Sequence, residues 1–175
     1  MLKKVVTRPD WLKVNDVKGI YSISGRISED FCDFIKFWKH NGYWSFNSPE
    51  TIEQLAKEEN IDLSECILFY YEVFEKQFNE NSREWATFEP EPSFSTHVEK
   101  PAKAHLEGYD VTTFSAGTSP ECSPLSCNGL ATKISVNSHC LFDTFEQAMQ
   151  SLEAGKFDNS EPGPFRTFAV YTAGS

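Results

Sequence analysis

The chain has 175 residues, 39% hydrophobic and 14% aromatic, with Phe alone occurring 15 times, and it carries a formal net charge of −10. That length suits one domain with a real core, and the composition excludes an intrinsically disordered chain. No apolar run reaches the about 18 residues that a membrane-spanning helix needs, and the sixteen acidic against six basic residues over 27–100 argue against a general nucleic-acid binder.

The N-terminus opens with Lys3 and Lys4, as a secretory leader does, but Arg8, Pro9 and Asp10 interrupt the apolar stretch that must follow. Five cysteines make an odd number, and their spacing matches no secreted disulfide framework. Reduced thiols and a cytoplasmic location are therefore expected.

Residues 1–16 show no regular pattern. Residues 17–27 alternate and read as a strand. Ser28 then caps a helix whose apolar face is Phe31, Phe34, Ile35 and Trp38, stopped at Gly42. A second helix starts at Ser48-Pro49-Glu50, with Ser as cap and Pro in the first helical position, buries Ile52, Leu55 and Ala56, and ends near Asn60. Residues 66–74 are aromatic and β-branched on nearly both faces, the pattern of a central strand covered on both sides. Residues 79–82 read as a turn and 85–88 as a short strand. Pro90, Pro92 and Pro101 mark residues 89–105 as an internal seam within a single domain over 1–175.

Residues 108–114 form the next strand. Asp143-Thr144-Phe145-Glu146 looks like a capping box with Asp143 as cap, opening a helix with Phe145, Ala148, Met149 and Leu152 inward and Gly155 at its end. A loop through Pro162-Gly163-Pro164 leads to a last strand over 165–172. The expected fold is α+β, with a mixed or antiparallel sheet of about five strands and three main helices.

Chemistry-bearing residues cluster once. Cys122, Cys127 and Cys140 fall within nineteen residues, with His139 beside the last. As a zinc site, Cys122 and Cys127 have pair spacing, and Cys140 is the third candidate ligand. His139 and Cys140 are neighbours whose side chains point apart on extended backbone, so one of them at most ligates, with His105 or Glu121 as a further ligand. As a catalytic site, Cys122 and Cys127 are candidate nucleophiles and His139 a candidate base. Ser119-Pro120-Glu121-Cys122 has the letters of a helix start, which would place Cys122 at the third helical position, where orphan N–H groups lower a thiol pKa. Glu121 and Pro124 oppose that arrangement. The plainest reading is a proline-pinned loop with buried thiols. Cys32 and Cys66 belong to the core on this reading.

Glu161 and Arg166 suggest either an anion clamp near the cysteine loop or a surface ion pair. His97 and His105 stand isolated. Tyr43, Trp44 and Phe46 suit either a contact patch or packing beneath the second helix. There is no phosphate-cradling glycine loop, nucleophile elbow or His-Glu-x-x-His motif.

The segments Glu121-Cys-Ser-Pro-Leu-Ser-Cys-Asn128, Asn137-Ser-His-Cys-Leu141, Ser160-Glu-Pro-Gly-Pro-Phe-Arg166 and Leu68-Phe-Tyr-Tyr-Glu72 resemble hallmark segments of a group of small uncharacterised bacterial proteins. The resemblance spans roughly residues 44–172. It implies a bacterial or phage source and transfers no activity, cofactor or catalytic residue.

Two functions follow as expectations. The first is a non-catalytic cytosolic binding protein, needing no cofactor, whose acidic surface docks a basic protein partner as an immunity or inhibitor protein does. The second is a cysteine-dependent enzyme or zinc protein using Cys122, Cys127 and His139. Acidity that merely keeps the protein soluble accounts for the charge without either.

Overall fold

The structure is a computed structural model that describes residues 2–4, 6–7, 12, 14, 16–23, 46, 48–64, 66–89, 98–114 and 122–174. The expected first helix at 28–42, together with Cys32, Tyr43, Trp44, His97 and Glu121, lies outside the described residues.

The elements are β1 (Leu2–Lys4), β2 (Val6–Thr7), β3 (Gly19–Ile20), α1 (Pro49–Glu59), β4 (Cys66–Asn79), β5 (Glu84–Thr87), β6 (Ala104–Thr113), the single-turn helix α2 (Pro124–Cys127), a 3-10 turn at Leu130–Thr132, α3 (Phe145–Glu153) and β7 (Phe165–Ala173). The fold is α+β: a five-stranded sheet in the order β1-β4-β7-β6, with β5 also on β4. All its pairings are antiparallel. β2 and β3 form a separate ribbon. The sheet takes strands from both sides of 89–105, since β7 pairs with β4 on one side and β6 on the other.

Local chemistry sets most of these boundaries. Ser48 caps α1 by accepting the Thr51 N–H at 3.3 Å, Pro49 occupies the first position, and Asn60 closes the helix in the left-handed conformation. Phe46 packs under α1 with Ile52 and Leu55. The β4–β5 turn is built on Asn79, whose Oδ1 accepts the N–H groups of Asn81 and Ser82.

Several boundaries depart from expectation: Leu2–Lys4 and Val6–Thr7 are strands where the sequence shows no regular pattern, and β4 runs to Asn79, five residues past its expected end at 74. The cap of α3 is Thr144 rather than Asp143, because Gln147 closes the box: Thr144 Oγ1 accepts its N–H while Gln147 Oε1 accepts the Thr144 N–H. The strand expected at 17–27 is two residues long within 17–23. Lys18, Gly19 and Tyr21 donate instead to the carbonyls of Ser138 and His139, and Ile23 to a buried carboxylate, so this backbone never enters the main sheet. β6 begins at Ala104, four residues early, and crosses a register shift at Gly108.

The main core joins Phe78, Val111 and Phe165 of the sheet to Ala148 and Leu152 of α3 and to Leu125, Phe142 and Phe157 of the connections. Smaller clusters form around Ile23, Phe114 and Phe168, and around Phe69, Leu141 and Val170. β4 is central, but it is not covered on both sides along its length. Tyr70 and Phe74 are half-buried and Glu72 is exposed. No helix among the described residues is long and apolar enough to cross a membrane.

Candidate functional site

The cysteine loop returns to the end of β6. Thr113 donates its N–H to the Cys122 carbonyl at 2.8 Å, and the Cys122 N–H donates to Thr113 Oγ1 at 3.3 Å. Ser119 and Pro120, where a helix start is expected, lie outside the described residues, but Cys122 is not the third residue of a helix: the turn of helix begins at Pro124, so Cys122 precedes it and gains nothing from its N–H groups. Proline explains the shift, since it holds Ser123 extended (φ −95°, ψ 105°). Ser123 occupies the cap position without capping. Its hydroxyl donates to Asp110 Oδ1 at 2.5 Å.

Asp110 is fully buried on β6, and its Oδ2 accepts the Ile23 N–H (3.0 Å) and the Thr112 hydroxyl (3.3 Å). Ser126 extends this polar knot by donating to the Ser123 carbonyl and meeting the Ser22 hydroxyl at 3.4 Å. One carboxylate thus fastens the N-terminal segment, β6 and the cysteine loop together.

The thiols of Cys122 and Cys127 are in hydrogen-bond contact, and Cys122 also donates to Asn128 Oδ1 at 3.6 Å. The contact with Cys127, then burial, then the negative charges of Glu161 and Asp110 push the Cys122 thiol far above its ordinary value. Burial foremost, with Asp110 and Cys127 adding, pushes Cys140 up to about 12. This is the reverse of the environment that activates a thiolate.

His139 is turned away from the thiols. Asn137 Oδ1 accepts the N–H groups of His139 and Leu141, and Asn137 Nδ2 donates to the Glu107 carbonyl at 2.8 Å. This tight turn holds Cys140 at φ 61° and sends its side chain into the core. The His139 ring goes outward, stacked on Tyr21 at 4.1 Å with Nδ1 3.0 Å from Glu107 Oε2. Glu107 also accepts the Thr172 hydroxyl at 2.6 Å and lies 3.3 Å from the exposed His105. The loop therefore gathers Cys122, Cys127 and Cys140 without His139 or His105. Among the described residues no group of three or more His, Cys, Asp or Glu side chains is arranged to hold a metal ion. Cys66 is half-buried at the start of β4.

Glu161 and Arg166 form neither a clamp nor a surface pair. Glu161 accepts Asn128 Nδ2 at 3.2 Å beside the loop. Arg166 is buried in the sheet, donating to the Phe74 carbonyl and stacked 3.7 Å from the Phe88 ring centre. Strand alternation dictates this: residue 166 faces the side opposite Phe165 and Thr167.

A second place was not legible in sequence motifs. The open half of the sheet face holds a cleft of about 380 Å³. Register builds it: Tyr109, Ala169 and Glu72 stand in one row across β6, β7 and β4, with Tyr171 opposite Tyr70 in the next. The irregularity of β4 between Val73 and Gln77 adds Phe74 and Glu75 to the rim. Phe145, the first residue of α3, forms the end wall, edge-on to Phe74 (4.9 Å) and Tyr109 (5.9 Å). Thr167 completes the wall. It is 1% exposed, and its hydroxyl has no hydrogen-bond partner among the described residues.

A cation already sits at the rim. Lys100 Nζ lies 3.7 Å from the Tyr171 ring centre and 3.4 Å from Glu72 Oε2, while the Tyr171 hydroxyl donates to the same Glu72 oxygen at 3.0 Å. Contact with Tyr171, and then with Glu72, raises the Lys100 pKa. Burial and nearby negative groups, among them Glu146 and Glu72, raise that of Tyr109. Chemically the cleft is an aromatic surface edged with carboxylates, which attracts cations and repels anions.

No family model matches the chain, and neither the curated proteins nor the solved structures give a match.

Proposed function

We propose that this is a non-catalytic cytosolic binding protein that docks a basic protein partner against the open half of its sheet, in the manner of an immunity or inhibitor protein. The observation that carries the reading is Lys100, whose ammonium rests between the Tyr171 ring and the Glu72 carboxylate. A partner's basic side chains would meet the same kind of surface, on a chain of net charge −10. Burial and neighbouring groups raise the Cys122 and Cys140 thiols, which disfavours the thiolate form that a nucleophile needs.

The test is affinity capture by the wild type beside a Glu72→Lys/Glu75→Lys variant. Support is a basic protein retained by the wild type, released as salt rises toward 0.5 M or so, and absent from the variant. Equal retention by both proteins, or retention indifferent to salt, overturns the reading.

A further inference from the structure

We infer that the cleft is a seat for one guanidinium group, and that the side chain it takes from a partner is arginine rather than lysine. The inference rests on the binding reading above and adds to it the identity of the anchoring residue.

Charge selects a cation. Glu72 and Glu75 edge the cleft from β4, and Glu146, in the first turn of α3, offsets the positive end of that helix. Shape and hydration then choose between the two basic side chains. An ammonium is compact and strongly hydrated, and it loses most when pressed against aromatic walls. A guanidinium is flat and weakly hydrated. It stacks a face on a ring while its in-plane N–H groups reach a carboxylate through two parallel hydrogen bonds.

The walls offered by Phe145, Tyr109 and Phe74 are such faces and edges, with Glu72 beside them. With five donors, a guanidinium also has one left for the buried Thr167 hydroxyl in the wall. The molecule applies both rules to its own side chains. Lys100 stays at the solvated rim, 43% exposed, whereas the guanidinium stacked at 3.7 Å on Phe88 belongs to the buried Arg166.

The probes are the peptides Ac-Gly-Arg-Gly-NH2 and Ac-Gly-Lys-Gly-NH2, titrated into the ¹⁵N-labelled full chain at low salt and followed by amide shifts. The expected result is saturable binding of the arginine peptide at least about 5-fold tighter than the lysine peptide, with shifts centred on Glu72, Tyr109, Phe145 and Tyr171. Tyr109→Leu and Phe145→Leu keep apolar volume but remove the ring faces. Either is expected to bring the two peptides within about 2-fold of each other, and the fold of each variant is checked from its own amide spectrum. Glu72→Gln should weaken both peptides.

Equal affinities in the wild type, or shifts located elsewhere, overturn the arginine seat. If that happens while capture of a basic partner is still lost on charge reversal, the binding reading stands and only the anchor is wrong. If neither peptide binds and capture ignores the reversal, both fall.

Discussion

Asp110 Oδ1 and Ser123 Oγ lie 2.5 Å apart, both side chains fully buried, and this contact fastens the cysteine loop to the sheet. A carboxylate in that position is tolerated because donors converge on it, three of them among the described residues. Asp110→Ala strands those donors and is expected to cost about 3 kcal/mol, with Ser123→Ala costing about 1–2 kcal/mol. Urea denaturation followed by fluorescence measures both. A wild-type midpoint for Asp110→Ala would remove the carboxylate from any structural role.

The raised thiols give stability a pH dependence of definite sign. Below an ordinary thiol pKa of 9, Cys140 is protonated in folded and unfolded chains alike, and its contribution is fully present. Between 9 and about 12 the unfolded chain releases the proton while the folded chain keeps it, so stability falls as pH rises. Comparing denaturation of wild type and Cys140→Ala over this window should show a wild-type slope steeper by about one proton, or about 1.4 kcal/mol per pH unit. Parallel slopes would show that Cys140 titrates normally in the folded protein.

Gly108 carries φ +145° at the register shift in β6, and a Cβ there meets the Phe142 carbonyl oxygen at 2.5 Å and the Asn137 amide at 2.9 Å. Gly108→Ala therefore combines backbone strain with displacement of the Asn137 turn, and the expected loss is about 3 kcal/mol. Because that turn separates His139 from Cys140, faster alkylation of Cys140 should accompany the lower stability.

Arg83, at φ 60° in the β4–β5 turn, reaches the far end of α3. It donates to the Leu152 and Glu153 carbonyls, pairs with Asp158 at 2.8 Å and lies over the Phe78 ring. These are the carbonyls a helix leaves unpaired at its C-terminus. Arg83→Met keeps the aliphatic stem and loses the caps, for an expected about 1–2 kcal/mol. Hydrogen exchange should quicken in the last turn of α3 and stay unchanged in α1. A uniform change across both helices would show a global rather than a capping effect.

What the sequence disclosed is what local chemistry decides. Ser48-Pro49 fixes the start of α1 whatever lies around it, and the aromatic, β-branched run fixes β4. The start of α3 slips by one residue because Asp143 and Thr144 both qualify as caps, and the choice falls to where Gln147 reaches. The segment before Ile23 alternates like a strand, yet its N–H groups go to Ser138, His139 and Asp110, partners more than eighty residues away. The cysteines were visible as a cluster, but their direction depends on the Asn137 side chain. The cleft depended on the pairing of Tyr109, Ala169 and Glu72, a register that no short motif encodes.

The strand order has a consequence for how the molecule is made. β7 lies between β4 and β6, though both precede it in the chain. A ribosome delivers the flanking strands first, and neither gains its inner neighbour until residues 165–173 emerge. For that interval the aromatic length of β4 offers an open edge to any other nascent chain. Assembly of this sheet is thus a late event in synthesis, and a nascent chain halted before β7 would leave the inner edges of β4 and β6 open and aggregation-prone, with β4 paired only to β1 and β5.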